Sequence, residues 1–371
     1  MRFTTSSSDL QKVLSTIGGV IPSKSTLPII ENLLFEVSKD QLKISATDLD
    51  TAMTMTMKVK GSADGKIAVP AKRLTETIRS LPNTEIIFSA TLENNKILLS
   101  TKTGEYKLTG ENCENYPTIP AFKGSSEMKI SDDVLSRLIN KTSFAVSSDE
   151  LRPAMMGILF QIKKNEIRAV ATDGHRLVRI VTTGVSSTNA EKDVIIPAKA
   201  LNLVSRSLSD GETTISFSDT HAMFSRDGIT LISRIIEEKY PNYESVIPLD
   251  NEKTLTIDKN ELLASVRRTA LYASSTTHQV RFTLNKNSVI ISAEDIDLGS
   301  EAKETIACDY TADNLEIGFN SAYVIDILSH IDTNEIMMLF SSATRASILK
   351  PVNQKNGENV LMLVMPVRLN N

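Results

Sequence analysis

Two hydrophobic periods alternate along this chain, and they do so in an order that returns. From Phe3 (FTTSSSDLQKVL) a short alternating stretch runs into a segment with apolar residues at i, i+3, i+4 and i+7: Leu10, Val13, Leu14 and Ile17. This is the apolar stripe of a helix entered from a strand. The order returns at Met128 (MKISDDVLSRLI) and at Leu255 (LTIDKNELLASV). Leu10, Leu135 and Leu262 fall in register, 125 and then 127 residues apart. A polar residue stands at each helix entry, and Asp258 with Glu261 has the form of a capping box.

Each repeat then returns to a strand that ends in an acidic turn: LKISATDLD, IRAVATDGH and VIISAEDID. Asp48, Asp173 and Asp295 hold equivalent places and are expected to close these turns by Asx-type bonding. A second strand–helix element follows: IAVPAKRLTETIRSL, VIIPAKALNLVSRSL and LEIGFNSAYVIDILSHI. Pro70 and Pro197 sit where the helix begins, a place that tolerates a missing N–H, and Asn320 stands there in the third copy. Between these elements the period is two, as where Met53, Met55, Met57 and Val59 alternate with Thr54, Thr56 and Lys58. The pattern predicts helices at 8–18, 71–81, 131–141, 198–208, 259–270 and 320–330. It also predicts three repeated domains, 1–122, 123–248 and 249–371, each of two helix-plus-sheet halves. The class is α+β, without the βαβα alternation of a nucleotide-binding sheet.

At 371 residues the chain exceeds what one core usually holds, as three domains require. Nowhere do 18 apolar residues run unbroken, and the N-terminus is polar, so neither a membrane span nor a secretory signal is expected. Cys113 and Cys308 stand far apart and read as small buried hydrophobes in a reducing compartment, which points to the cytoplasm. The net charge of -4 speaks against nucleic acid only if it is evenly spread. It is not: the six predicted helices hold 11 Lys+Arg and 6 Asp+Glu, the remaining chain 30 and 39. Two readings are open, solvated helix faces or a shared positive surface that touches phosphates without reading bases. No catalytic constellation stands out. His175, His221, His278 and His330 lack ligand spacing, and there is no P-loop or GxGxxG, so neither a metal nor a cofactor is expected. The Asp48-Leu49-Asp50 and Asp295-Ile296-Asp297 pairs are open to a metal-binding reading, against which stands the recurrence of the first Asp in every repeat.

Two motifs, ATDGHRL (171–177) and LVMPVRL (363–369), closely resemble the bacterial DNA polymerase III beta sliding clamp family. STLPII (25–30), ENLL (31–34), ATDLD (46–50), VPAK (69–72), LRPAMMGILF (151–160) and IGFNSAYVIDIL (317–328) support the resemblance, which spans nearly the whole chain. It implies a DNA clamp fold and a non-catalytic processivity factor. Three domains form a crescent, and two crescents join head-to-tail into a homodimeric ring with sheets outside and helices inside. Twelve helices spaced ~9 Å apart set a circle about 34 Å across and leave a hole of roughly 24 Å, enough for a hydrated duplex. The implied partners are double-stranded DNA, the replicative polymerase catalytic subunit, the clamp loader, and other polymerases and repair proteins.

The resemblance also implies sites. A peptide groove between the second and third domains is matched by Thr172, Gly174, His175, Arg176, Leu177, Pro241, Val246, Asn320, Tyr323, Met365, Pro366, Val367, Arg368 and Leu369. Its apolar walls would be Leu177, Val246, Met365 and Leu369, with His175 and Arg176 near the rim. DNA-contacting positions are matched by Lys24, Lys72, Arg73, Arg152 and Lys199, and the dimer seam by Tyr106 and Leu108 against Leu271 and Tyr272. Read without the resemblance, those four seam residues fit an ordinary core equally well. The chain departs from the family pattern at Pro153-Ala154, where a tyrosine pair is usual, at Ser245, and at Thr277 and His278. A metal-dependent nuclease built on the DxD aspartates, and a repeat scaffold that binds only proteins, are the rival functional readings.

Overall fold

The computed structural model describes residues 1–119, 122, 124, 126–185 and 191–369; the expected 122/123 boundary falls on a partly described stretch. Among the described residues there are six α-helices: α1 (Ser7–Ile17), α2 (Ala71–Ser80), α3 (Asp132–Thr142), α4 (Ala198–Ser207), α5 (Lys259–Thr269) and α6 (Ser321–Ser329). They form because one stripe of each is apolar and buried, as with Leu10, Leu14 and Ile17 on α1 and Leu74 and Ile78 on α2. The entries are capped as the sequence suggests. Ser6 accepts from the Asp9 amide at 3.0 Å, Asp258 from that of Glu261 at 2.8 Å, and Asn320 from that of Ala322 at 2.9 Å. Pro70 stands just before the helix expected at 71–81. It is the cap, not the first helical residue, because the preceding strand claims it.

Among the described residues the strands form four antiparallel sheets, of five, eight, nine and four strands. They divide between two compact units that cut across the repeats: residues 1–135 with 199–235, and 136–198 with 236–371. In the first unit, strand Ile229–Arg234 of the second repeat pairs with Thr51–Lys58 of the first, merging two repeats into the eight-stranded sheet. In the second unit, Glu358–Val364 of the third repeat pairs with Arg176–Thr183 of the second, giving the nine-stranded sheet.

The register shows how faithfully the repeat is kept. Phe3, Met128 and Leu255 stand opposite Phe88, Ile215 and Met338. These in turn stand opposite Leu99, Phe224 and Leu349. In the first repeat the buried rings of Phe3 and Phe35 both stack on Phe88, at centroid distances of 4.9 and 5.5 Å. Two of the edge strands lie at places where other repeats are joined: Glu105–Thr109 ends the five-stranded sheet and Ser300–Ala307 the four-stranded one. They hold the places that Ile229–Arg234 with Glu358–Val364, and Thr51–Lys58 with Arg176–Thr183, hold in the other repeats.

Candidate functional site

The turn after strand Glu166–Thr172 organises the strongest candidate. Asp173 Oδ1 accepts from the His175 and Arg176 amides, both at 2.9 Å, and Thr172 Oγ1 donates to the Arg176 carbonyl at 2.7 Å. Gly174 has φ +89, a conformation that glycine adopts at no steric cost. The first repeat builds the same turn bond for bond. Asp48 Oδ1 accepts from Asp50 and Thr51, and Thr47 Oγ1 donates to the Thr51 carbonyl. There, however, Leu49 takes the positive φ, at 82°. Asp295 accepts from the Asp297 and Leu298 amides. Carboxylates occupied by backbone N–H groups are turn formers, which favours the structural reading of all three aspartates over a metal-binding one.

Arg176 departs from its expected place near the rim. It is 9% exposed, with Nε donating to Asp173 at 3.0 Å and Nη1 to Asp326 of α6 at 2.5 Å. Its guanidinium lies over the rings of Tyr323 and Phe144, at 4.9 and 5.4 Å. Two carboxylates and two aromatic faces draw it inward, so it ties the turn to α6. His175 remains exposed and stacks on Tyr323 at 5.7 Å. Burial raises the Tyr323 phenol pKa, which keeps this plate neutral.

The C-terminal segment completes the surface. After strand Glu358–Val364, the Met365 amide donates to the His175 carbonyl and the Val367 amide to the Gly318 carbonyl, both at 2.8 Å. A side chain at Gly318 would strike Leu369 and Val367, so its absence lets the tail lie flat. Met365 and Val246 are exposed, Pro366, Val367 and Leu369 half-buried. Leu177, expected in the apolar wall, is 1% exposed and packs with Leu159, Val170, Tyr243 and Leu363 in the core beneath. His175, Tyr323, Met365, Pro366 and Val367 are thus brought together; Pro241 and Val246 stand exposed, and Asn320 caps α6. A polar concavity of about 590 Å³ on the sheet containing Arg281 and Lys303 shares none of these residues.

The five expected phosphate-contacting side chains, Lys24, Lys72, Arg73, Arg152 and Lys199, are all exposed. Arg152 pairs with Asp149 at 3.3 Å, and Lys199 pairs with Asp48. Helix charge counted from sequence missed which cations are already engaged. Arg137 binds Glu358 through two hydrogen bonds of 2.7 Å and Asp332 at 2.9 Å. Lys141 reaches Asp332 at 2.6 Å, and Arg268 grips Glu304 at 2.6 and 2.7 Å. Among the described residues the side chains of Lys24, Lys72, Arg73, Arg79 and Arg206 make no such bond. All five belong to the first unit.

The four seam residues are not an ordinary core: Leu271 is 82%, Tyr272 45% and Tyr106 36% exposed, and Leu108 is half-buried. The cysteines depart from expectation too. Both are free but only half-buried, and partial burial raises the Cys308 pKa to about 11, so it is a poor nucleophile.

Family models for the N-terminal, central and C-terminal domains of the DNA polymerase III beta subunit match residues 1–120, 129–242 and 244–368. The chain belongs to the DNA polymerase III beta subunit family. These are the DNA polymerase sliding clamps, the non-catalytic processivity subunit of polymerase III. The beta sliding clamp of Pseudomonas aeruginosa is 30% identical over 372 residues, covering 100% of both chains, and that of Vibrio cholerae is 27% identical over 372 residues with the same coverage. The solved sliding clamps of Pseudomonas aeruginosa and Bartonella birtlesii, each bound to griselimycin, superpose with TM-scores of 0.93 and 0.94 at 29% and 28% identity, over 100% of each chain. No helix among the described residues of this clamp-family member is long and apolar enough to cross a membrane.

Proposed function

We infer that two copies of this chain close head-to-tail into a ring around duplex DNA in the cytoplasm. In that ring the exposed cations touch phosphates, while the surface around His175, Tyr323 and Met365 captures peptides. Its partners there are the replicative polymerase catalytic subunit, the clamp loader, and other polymerases and repair proteins. The griselimycin complexes of the relatives support ligand capture by this fold.

Two of the free sheet edges, Glu105–Thr109 and Ser300–Ala307, support the ring reading. At the two junctions inside the chain, Ser233, Ile232 and Leu231 face Thr51, Ala52 and Met53, and Val364, Leu363 and Met362 face Arg176, Leu177 and Val178. The repeat puts Leu108, Lys107 and Tyr106 in the first set of places and Ser300, Glu301 and Ala302 in the second, since Tyr106 faces Leu99 and Ala302 faces Ala293. A second copy docked in that register sets Lys107 opposite Glu301 and, two residues on, Glu105 opposite Lys303. Opposite charges meet at both places. Tyr106 and Leu108 then lie on the same side as Leu271 and Tyr272, whose 3-10 turn packs on Ser300–Ala307.

Retention on nicked circular duplex, with release when the circle is cut, tests encirclement, and a solution mass of twice 40.7 kDa tests the dimer. A protein-only scaffold would show no retention on the circle.

A further inference from the structure

The turn that organises the groove exists in a second copy, and one cation distinguishes the two. In the groove copy Asp173 gives Oδ1 to the turn and Oδ2 to Arg176, the residue that opens the next strand. In the first repeat that strand residue is Thr51, which offers no charge. Asp48 still gives Oδ1 to the Asp50 and Thr51 amides, but its Oδ2 now holds Lys199, two residues into α4. Pro197 and Asn320 occupy the same place before their helices, so Lys199 stands where the third repeat has Ala322. The Asp48 carboxylate is mostly buried, with its side chain 12% exposed, while that of Lys199 is 56% exposed. A fixed anion therefore grips a cation that faces water.

Resting on the reading that Lys199 contacts phosphate, we propose that Asp48 is a positioning residue that latches Lys199 and competes with DNA for it. A phosphate must replace the Asp48 oxygen to engage the lysine. The latch lowers affinity for the backbone at this point, which suits a ring that slides. It also explains the divergence of the two turns: where the strand supplies the cation the helix position is free for a groove, and where the helix supplies it the turn serves the DNA side.

The test is a double-mutant cycle on the full chain, with binding of a short linear duplex measured by fluorescence anisotropy across low salt concentrations. Asp48→Asn keeps an oxygen acceptor for the turn and removes the charge, so an unchanged melting temperature confirms that the turn survives. The expected result is that Asp48→Asn tightens binding about two- to fivefold, the range of an exposed ion pair, and that Lys199→Gln abolishes this gain. A gain that persists in the Lys199→Gln background, or no gain at all while Lys199→Gln weakens binding, overturns the latch. If Lys199→Gln changes nothing in either background, the phosphate contact itself is wrong and the latch falls with it.

Discussion

Reversing one charge at the proposed seam should open the proposed ring, and reversing its partner should close it again. In the transferred register Lys107 faces Glu301 of the second copy, on the side of each strand that points away from the helices; both side chains are exposed in the single chain. An opposite-charge pair across an antiparallel ladder contributes roughly 0.2–1 kcal/mol, and a like-charge pair costs a similar amount. Lys107→Glu exchanges one for the other, about 0.5–2 kcal/mol per seam. Two seams close each ring, so the dimer loses about 1–4 kcal/mol, or roughly 5- to 1000-fold in its dissociation constant. Sedimentation over a dilution series reads this directly, and added salt should narrow the gap. Glu301→Lys alone should weaken the dimer similarly, and the double variant should recover most of the loss. Because neither residue packs in the monomer, melting of the dissociated chain should not move. A double variant no tighter than either single one would refute the register, and with it the inference from internal to external junctions.

Removing Met365 to Leu369 should abolish binding of partner peptides while leaving the dimer mass unchanged, checked by calorimetry and sedimentation. Neutralising Lys72, Arg73 and Arg79 should flatten the salt dependence of duplex binding, the logarithmic slope falling by close to one for each phosphate no longer neutralised. Neutralising Arg267 and Arg268 should do so far less, because Arg268 is engaged by Glu304 and Arg267 donates to Ser329 at 3.2 Å. Gly174→Ala should lower stability by about 1 kcal/mol and Leu49→Gly should not lower it, since both sites have positive φ; urea midpoints decide. Burial raises the Tyr116 pKa from 10.0 to about 12, and its hydroxyl donates to the Asn32 carbonyl at 3.2 Å. A raised pKa stabilises the fold below the unfolded value, so this contribution, about 3 kcal/mol, is lost as pH climbs from 10 to 12. Tyr116→Phe should flatten the alkaline unfolding curve followed by near-ultraviolet circular dichroism.

The helices were legible because an apolar stripe of period 3.6 is a local signal, and all six lie within two residues of expectation at each end. The acidic turns were legible because Asx bonding spans only three residues. The merging of repeats into common sheets was not. Nothing near Ile229 or Met55 announces that they will face each other, because an antiparallel pairing between distant strands is set by shape and register, not by a local code. Arg176 misled for the same reason. In sequence it follows an exposed histidine, but Asp326 and Tyr323, some 150 residues on, enclose it. Helix charge misled because counting cannot tell a solvated cation such as Arg79 from one already bound, such as Arg137.

These misses share a cause that bears on how one fold serves two tasks. The turns at Asp48 and Asp173 are nearly identical as backbone, with positive φ at Leu49 and Gly174, while the third is longer and has it at Gly299; what each of the first two does depends on which neighbouring element supplies the compensating cation. At Asp173 the strand supplies it as Arg176, whose planar guanidinium also offers a face to aromatic rings, and Tyr323 can then stand beside His175 as one wall of the proposed groove. At Asp48 the helix supplies it as Lys199, a point charge with no face for a ring to cover, on a residue that opens toward solvent. In the proposed function, moving one positive charge from strand to helix therefore changes the surface from one suited to a peptide to one suited to phosphate, while the turn beneath keeps its Asx bonds. A chain built by repetition can diverge in this way without disturbing its folding, since the turn's carboxylate is satisfied in both arrangements.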